Sequence, residues 1–385
     1  MNCKQEKYKR LGDYIQEVDV RNRDLQCTNL LGLSISKVFI PSIANTVGTD
    51  FRPYKIVKHN QFAYVPVTSR NGEKITVALY DGQEDCIISQ AYISFEIKDT
   101  EQLLPEYLMM WFRRPEFDRY ARFKSHGSAR EVFDWGEMCK VLMPIPDIKE
   151  QKRIVDQYNA IQSRIETNKQ TIIKLEETAQ AIYRKMFVDE IDTEDLPEGW
   201  KMGTISDLGK VIGGATPSTE IKEYWVNEGI SWLSPADMPR DVMFIDCTAK
   251  HISEEAYNSA STNLLPKGTV LFSSRAPIGL IAITDIELCT NQGYKSVAPF
   301  EEYGSYFVYY TLKYHKDNIA IQEEGSTFAE ISGKELAAYP IILPKIEDAK
   351  VFNKTIAPIA DYRKGLEREC VLLNSLLSLL TLKLS

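Results

Sequence analysis

The sequence lacks the patterns of secreted, metal-binding and membrane-spanning proteins. Its seven cysteines include no CxxC pair, and its four histidines lie far apart, so no zinc-ligand spacing is present. The first residues have no apolar stretch like that of a signal peptide. The most apolar segment, 370–384, is too short to cross a bilayer and contains Asn374 and Lys383. These absences predict reduced thiols, a cytoplasmic location, no bound metal and no membrane association.

Motifs of the common catalytic classes are also missing. The chain has no GxxxxGK[ST] phosphate loop, no GxGxxG after a strand, no HExxH and no GxSxG. Asp147 and Glu150, with Lys152, superficially match a PD…ExK nuclease motif. The gap between the two acids is too short to place them on separate strands around one metal. Asp147 as a helix N-cap, with Glu150 completing a capping box, explains these residues better. We therefore expect a chain without catalytic activity.

An excess of positive charge is missing as well. Lysine and arginine number 46 against 54 acidic residues, which gives a net charge of −8. The composition as a whole does not favour nucleic-acid binding, so any such interpretation must rest on local charge.

What the chain does have is length and an internal repeat. Its 385 residues, 44% hydrophobic and 26% charged, suit a globular protein of two units. The segment Leu142-Met-Pro-Ile-Pro146-Asp-Ile148 resembles Pro340-Ile-Ile-Leu-Pro344-Lys-Ile346, with Pro146 and Pro344 198 positions apart. The chain thus resembles two diverged copies of one unit, each a globular region followed by a helix.

Two unbroken heptad stripes, one per copy, give the strongest pattern. The first stripe consists of Ile154, Tyr158, Ile161, Ile165, Asn168, Ile172, Leu175, Ala179, Ile182 and Met186. The second consists of Phe352, Ile356, Ile359, Arg363, Leu366, Cys370, Leu373, Leu377, Leu380 and Leu384. We expect the stripes to pair as an antiparallel coiled coil. The polar members Asn168 and Arg363 either specify register inside the seam or lie at its edge in water.

The predicted architecture is mixed α/β, with two similar α/β domains separated by two long antiparallel helices and related by a pseudo-two-fold repeat. The expected boundaries are 1–145 and 191–340 for the domains, and 146–190 and 341–385 for the helices. Strand composition covers Ile75–Leu79, Cys86–Ile97, Thr269–Ser273 and Leu280–Thr284. Helical composition covers Leu103–Phe123 and Tyr303–Tyr314.

Local charge and polarity in the first copy indicate a nucleic-acid surface. The segment 113–130 carries six basic and two acidic side chains with interleaved aromatics, which suits phosphate contacts. A solvated helix face would explain the same run, and turn chemistry would explain Arg70-Asn71-Gly72 equally well. The candidate DNA-contacting residues here are Lys55, Lys58, Asn60, Arg70, Asn71, Arg113, Arg114, Arg119, Arg122, Lys124, Ser125 and Arg130.

In the second copy, polar loops take the place of a basic stripe. A Gly-Gly loop at 213–219, a Ser-Ser-Arg segment and an Asn-Gln-Gly segment suit phosphate or base contact, or simply close turns and hairpins. The candidate residues are Thr216, Ser218, Thr219, Ser273, Ser274, Arg275, Asn291 and Gln292.

Several ordered motifs resemble those of one known family, the specificity (S) subunits of type I restriction-modification systems. They are Leu196-Pro-Glu-Gly-Trp200, Gly213-Gly-Ala-Thr-Pro217-Ser218, Ser231-Trp232-Leu-Ser-Pro-Ala-Asp237, Ser273-Ser-Arg-Ala-Pro-Ile-Gly279, Thr290-Asn-Gln-Gly293 and Pro146-Asp-Ile-Lys-Glu-Gln-Lys152 opening a long helix. Their order and the tandem layout cover nearly the whole chain.

This resemblance implies a function in phage defence. Each globular copy would be a target recognition domain that reads one half of a bipartite, asymmetric site in double-stranded DNA. The helix pair would space the halves and dock two methyltransferase (M) subunits. S-adenosylmethionine would bind to those M subunits, and ATP and Mg to restriction (R) subunits, with no cofactor in this chain. Adenine-N6 methylation and ATP-dependent cleavage would then lie on the partners.

Three other interpretations remain open from the sequence. A coiled-coil adaptor whose globular copies bind proteins predicts no salt-dependent DNA affinity. An enzyme with an unrecognised site, such as a nuclease, predicts metal-dependent turnover by the isolated chain. A DNA-binding scaffold of another phage-defence system would have the same layout.

Overall fold

The computed structural model describes residues 8–43, 46–68, 74–126, 131–275, 277–321 and 330–384. The chain divides into two compact units, residues 1–165 with 372–385 and residues 166–371. Both unit boundaries fall inside long helices. The four-segment division expected from the sequence stays a prediction.

The first unit combines short strands with three helices, the beginning of one long helix and the end of another. Its strands are β1 (Tyr8–Arg10), β2 (Ile15–Val18), β3 (Leu31–Leu33), β4 (Phe39–Pro41), β5 (Lys55–Val57), β6 (Phe62–Tyr64), β7 (Val77–Leu79), β8 (Cys86–Ile88), β9 (Ile93–Ile97) and β10 (Leu142–Pro144). Its helices are α1 (Pro105–Phe112), α2 (Pro115–Lys124), α3 (Trp135–Lys140) and the first part of α4 (Ile148–Phe187).

An antiparallel sheet in the order β2-β9-β6-β7 forms the centre of this unit. The ring of Phe62 stacks on Phe95 with centroids 4.9 Å apart, and Phe112 of α1 meets Phe62 edge-on at 5.9 Å. All three side chains are fully buried. Aromatic packing of this kind contributes about 0.5–1.5 kcal/mol per pair beyond burial, so α1 is held on the sheet by its aromatic face.

Two predicted elements of the first unit are each divided in two. The helix expected over Leu103–Phe123 breaks because Pro115 forces the preceding Arg114 into extended backbone, with φ −71° and ψ 138°. The strand expected over Cys86–Ile97 is interrupted by a turn in which Tyr92 N–H donates to the Ser89 carbonyl at 3.0 Å. The composition identified the element types but not these interruptions.

The second unit is richer in sheet. Its strands are β11 (Lys201–Thr204), β12 (Gly209–Gly213), β13 (Trp225–Val226), β14 (Ile230–Leu233), β15 (Phe244–Ile245), β16 (Lys250–Ile252), β17 (Val270–Phe272), β18 (Ile281–Thr284), β19 (Cys289–Thr290), β20 (Lys295–Pro299) and β21 (Pro340–Leu343). Its helices are α5 (Glu254–Ser259), α6 (Gly304–Ile321), α7 (Gly333–Ala338), the end of α4 and most of α8 (Ile346–Leu382).

The larger sheets of this unit are ordered β12-β20-β17-β18-β15 and β13-β16-β14-β19. The predicted strands near Thr269 and Leu280 are present as the antiparallel pair β17–β18. The helix predicted to end at Tyr314 continues to Ile321. Its core joins β17, α6 and the long helices through the buried rings of Phe272, Phe307 and Phe352.

The two units share one order of elements. In each, an edge strand (β1 or β11) leads through a 3-10 turn into a strand (β2 or β12) that pairs antiparallel with a later one (β9 or β20). Helices follow, and then a strand (β10 or β21) returns to pair with the edge strand before a long helix begins.

The first long helix begins as expected. The Asp147 carboxylate accepts the Glu150 N–H at 3.0 Å, which identifies Asp147 as the N-cap. The Glu150 carboxylate accepts two hydrogen bonds from Arg153 instead of completing a capping box. These contacts give both acids structural roles.

Every residue of the two heptad stripes is buried or half-buried. Within the second unit the helices meet in antiparallel order. Asn168 donates to Glu369 at 2.9 Å, Arg363 forms an ion pair with Glu176, and the ring of Tyr183 lies 5.7 Å from that of Phe352. Residues further along α4 thus contact residues earlier in α8, which makes the two helices antiparallel here.

The two polar stripe members lie inside the seam, so the alternative that placed them in water is wrong. Asn168 is 1% exposed and Arg363 is 4% exposed. Arg363 also pairs with Glu367 at 2.7 Å, and Lys313 of α6 pairs with Glu176 at 2.8 Å. Burial acts to raise the pKa of Glu176, but the Lys313 and Arg363 cations outweigh it and hold that pKa below its usual value.

Candidate nucleic-acid interface

A basic groove lies on the surface of the first unit. It encloses about 640 Å³ and contains five basic side chains and one acidic side chain. The groove is lined by Ile35, Ser36, Lys37, Lys74, Arg113, Pro115, Asp118, Arg119, Arg122 and Phe123. The concentration of positive charge suits a polyanion, because each phosphate neutralised releases condensed counterions.

The groove is built on a buried ion pair. Lys37 adopts a left-handed backbone, φ 62°, in the β3–β4 turn, and its side chain reaches inward. Its ammonium lies 2.8 Å from the Asp118 carboxylate and donates to the Phe112 carbonyl. Burial lowers the pKa of Lys37 below its usual value, partly offset by Asp118. Since Asp118 also accepts the Ile75 N–H at 3.1 Å, this pair fixes the turn and a neighbouring segment to α2.

The arginines of the predicted basic stripe have different environments. Arg113 is exposed and donates to the Tyr158 hydroxyl at 3.0 Å. Arg119 is exposed and pairs with Glu116 at 3.0 Å, and Arg122 is also exposed. Arg114 is buried, with its guanidinium 4.3 Å from the Trp111 ring centroid. Arg114 therefore packs in the interior and does not face the groove.

The other predicted residues of the first unit differ in how far they are exposed. Lys124 and Ser125 are half-buried at the end of α2, where the Ser125 hydroxyl donates to the Ala121 carbonyl. Lys55 is buried, with its ammonium 3.5 Å from Asp19 and 3.8 Å from Glu17. That arrangement orients Lys55 toward carboxylates of its own unit.

Lys58 and Asn60 lie exposed in a tight turn. Gln61 N–H donates to the Lys58 carbonyl at 3.0 Å, and Asn60 has φ 66°, a conformation that asparagine tolerates better than most residues. Turn chemistry thus explains the residue type, while the side chains remain at the surface. Arg70, Asn71 and Arg130 lie outside the described residues.

In the second unit, three loops that are distant in sequence come together. Ala215 N–H donates to the Thr290 carbonyl at 2.9 Å, and the Thr216 hydroxyl donates to the Gln292 side-chain oxygen at 2.6 Å. Ser274 N–H donates to the Gly293 carbonyl at 2.8 Å. The predicted Gly-Gly, Ser-Ser-Arg and Asn-Gln-Gly segments therefore form one polar surface.

Close packing fixes the residue type at Gly214. A Cβ at that position would lie 2.1 Å from the Thr290 carbonyl oxygen and 2.4 Å from that of Asn291. No side chain fits at such distances, so only glycine lets this loop approach β19. The exposed side chains that result are those of Thr216, Ser218, Thr219, Arg275 and Gln292, and Asn291 is half-buried.

The two serines of the Ser-Ser-Arg segment are buried. The Ser273 hydroxyl donates to the Pro277 carbonyl at 2.7 Å and accepts the Leu280 N–H at 2.8 Å, closing the β17–β18 hairpin. The Ser274 hydroxyl is buried without a hydrogen-bond partner among the described residues. Of this segment only Arg275 reaches the surface, as expected for a hairpin loop.

One acid partly offsets the positive charge at this polar surface. Arg275 lies 2.9 Å from Glu330, and Lys295 lies 3.7 Å from the same carboxylate. A hydrogen bond from Arg275 lowers the pKa of Glu330 below its usual value. The second unit therefore offers hydrogen-bonding groups more than net charge, in contrast to the groove of the first unit.

Sequence reasoning missed two of the basic side chains that line the groove. Lys37 and Lys74 are distant in sequence from α2, and nothing in their local sequence indicates that they meet it.

Among the described residues, no group of three or more His, Cys, Asp and Glu side chains could hold a metal ion. No helix in the described ranges is long and apolar enough to cross a membrane.

Comparisons with known proteins give a consistent family. The type I restriction modification DNA specificity domain matches residues 43–177 and again residues 197–364. A type I restriction enzyme MjaIX specificity subunit from Methanocaldococcus jannaschii is 36% identical over 176 residues, which is 45% of this chain and 40% of that subunit. The EcoR124I/EcoR124II specificity subunit from Escherichia coli is 30% identical over 288 residues, 70% of this chain and 68% of that one.

A solved structure supports the fold. The crystal structure of a type I restriction-modification S subunit from M. genitalium aligns over 98% of this chain and 95% of its own, with a TM-score of 0.61 and 15% identity. Proteins of this family are non-catalytic specificity subunits, and the catalytic activities of their systems lie on other subunits. Two domain matches covering most of the chain show that it belongs to the type I restriction-modification DNA specificity family, whose function is recognition of DNA sequence.

Proposed function

We propose that each unit reads one half of a bipartite, asymmetric site in double-stranded DNA. The observation that carries this proposal is the shared order of elements, from the edge strand to the long helix, in both units. The family domain likewise matches the chain twice. Two copies of one reader with different surface loops would recognise two different half-sites, which makes the whole site asymmetric.

The proposed base and phosphate contacts are the exposed or half-buried members of the predicted set. In the first unit they are Lys58, Asn60, Arg113, Arg119, Arg122, Lys124 and Ser125. In the second they are Thr216, Ser218, Thr219, Arg275, Asn291 and Gln292. We assign the buried Lys55, Arg114, Ser273 and Ser274 to support of the loops, because a buried side chain cannot reach a base edge without a rearrangement.

The paired helices are proposed to form an antiparallel coiled coil that relates the copies by a pseudo-two-fold axis and sets the gap between the half-sites. The buried Asn168–Glu369 and Arg363–Glu176 contacts support a fixed register. A slip of one heptad would leave these polar groups unpaired inside the seam, which costs several kcal/mol for a buried charge. The gap would then be a fixed number of base pairs.

The same helices are proposed to dock two methyltransferase subunits. Leu372, Leu376 and Leu379 follow helical spacing near the end of α8 and are 70%, 48% and 58% exposed. Such a stripe of exposed leucines marks a protein-interaction surface. S-adenosylmethionine would be held by those methyltransferase subunits, and ATP and Mg by restriction subunits that join the same complex in the cytoplasm.

The test is to purify the chain with its co-encoded subunits and to map methylated adenines in the host genome. A split motif with a constant gap supports the proposal. Exchange of residues 196–340 for those of a relative should change one half of the motif and leave the other half and the gap unchanged. A change in both halves would contradict independent reading by the two units.

A protein adaptor gives a different result in the same experiment. An adaptor would yield no motif, and the purified chain would show no affinity for duplex DNA that falls with salt. A scaffold of another defence system would bind DNA without directing adenine methylation.

A further inference from the structure

Helix α2 presents an aromatic ring to the basic groove of the first unit. Phe117 and Ala121 of this helix are buried in the core, whereas Phe123 is 80% exposed. Phe123 lies four residues after Arg119, so both side chains project from one face of the helix. It lines the groove together with Arg113 and Arg122.

The described residues of the unit leave most of this ring uncovered. The ammonium of Lys124, the next residue along the chain, lies 5.8 Å from the ring centroid. A phenylalanine so exposed buries little apolar surface, and substitution there should change stability by no more than about 0.5 kcal/mol. The ring is therefore available to an external partner of the groove.

The surrounding charge suits a nucleic-acid duplex, the partner that the proposed function gives this unit. Lys74, Arg113, Arg119 and Arg122 around the groove would hold phosphates. An aromatic side chain held beside a phosphate backbone can stack on a base or wedge between two base pairs, and unstacking one step costs a few kcal/mol. The second apolar side chain of the groove, Ile35, is 51% exposed and comes from a different element.

We propose that Phe123 inserts at a base step of the half-site that the first unit reads, while Arg119 and Arg122 hold the flanking phosphates. This inference rests on the proposed function and adds to it a residue that acts through stacking and DNA deformation. Specificity at that step then depends on how easily the two base pairs unstack, because pyrimidine–purine steps deform most readily.

The test compares four variants of the full chain in complex with its co-encoded subunits. Phe123→Ala removes the ring, and Phe123→Trp keeps an aromatic ring. Phe300→Ala is the matched control, because Phe300 is 46% exposed in the second unit and lines none of the basic groove. Arg119→Gln with Arg122→Gln removes charge only. Affinity for a duplex carrying the mapped motif is measured as a function of salt.

The Phe123→Ala complex should bind about 5- to 150-fold more weakly, as expected when a ring that stacks on a base is removed. Its salt slope should equal that of the wild type, since every phosphate remains neutralised. Phe123→Trp and Phe300→Ala should bind like the wild type. The double arginine variant should lower the slope by up to about 0.9 for each phosphate that is no longer neutralised.

A spectroscopic measurement locates the insertion. With 2-aminopurine placed in turn along the half-site, wild-type protein should raise fluorescence at one step other than the methylated adenine. Phe123→Ala should abolish that signal. The insertion is overturned if Phe123→Ala binds with wild-type affinity or keeps the 2-aminopurine signal while the arginine variant shows a reduced salt slope. DNA recognition by this unit would then still stand. Absence of salt-dependent duplex binding by the wild type removes the proposed function and this inference together.

Discussion

The buried ion network of the helix pair allows a quantitative prediction. Arg363 contacts Glu176 and Glu367 and is 4% exposed. In Arg363→Met, both carboxylates are deprived of a cation in a place that water hardly reaches. Breaking a buried pair from one side costs about 3–5 kcal/mol. We expect the lower end, about 3 kcal/mol, because Lys313 still pairs with Glu176 and Met243 N–H still donates to Glu367 at 3.0 Å.

Arg368→Met is the matched control. Arg368 lies five positions further along α8, pairs with Asp246 and Asp285, and has a side chain that is 54% exposed. Solvent screens such pairs, so they contribute little to the stability of the folded state. For a unit of this size, 1 kcal/mol corresponds to about 2–4 °C in Tm. Thermal unfolding should therefore show a decrease in Tm of about 6–12 °C for Arg363→Met and a clearly smaller decrease for the control.

The pH dependence provides an independent check. The pKa of Glu176 is held below its ordinary value of 4.5, so its ionised form stabilises the folded state above that pH. This contribution disappears as pH falls through the lowered pKa. In Arg363→Met the pKa of Glu176 should rise, and the difference in Tm between variant and wild type should narrow below about pH 4.5. Equal decreases in the two arginine variants, or a difference independent of pH, would refute the reasoning.

Three further predictions concern a loop, helix α8 and the docking stripe. Gly214→Ala should weaken recognition of the second half-site without changing recognition of the first, because a Cβ would collide with the Thr290 carbonyl. Gly365→Ala should instead stabilise the protein by up to about 1 kcal/mol in thermal unfolding. Gly365 lies inside α8, where an added Cβ meets nothing within 4 Å. Replacing Leu376 and Leu379 by serine should reduce the amount of methyltransferase subunit that copurifies and leave the Tm unchanged; unchanged copurification would assign docking to another surface.

Local sequence signals anticipated much of the fold. Asp147 is an N-cap because its short carboxylate can reach a free N–H, and that property depends on only a few neighbouring residues. The heptad stripes could be predicted because helical periodicity appears directly in the order of residues along the chain. Every member of the two stripes is buried or half-buried in the structure. Pro115 dividing the predicted helix was also a local signal, through its effect on Arg114.

The candidate site was only partly predictable. Arg114 and Arg113 are neighbours in a basic run, yet one stacks on Trp111 in the interior and the other lines the groove. Lys37 lines the same groove through its ion pair with Asp118, a residue 81 positions away. No local sequence pattern predicts the left-handed backbone of Lys37. Composition gives the number of charged side chains but does not predict which of them are buried in the folded protein.

The sequence by itself determined the tandem layout, the long helices with their buried stripes, and the family of DNA specificity proteins to which the chain belongs. These properties follow from periodicity and from motif order along the chain. Only the tertiary structure decided that Asn168 and Arg363 are paired inside the seam, that three distant loops form one polar surface, and that Phe123 stands exposed beside the basic groove. Those outcomes depend on contacts between residues far apart in sequence, where burial and pairing energies are set by the packed fold.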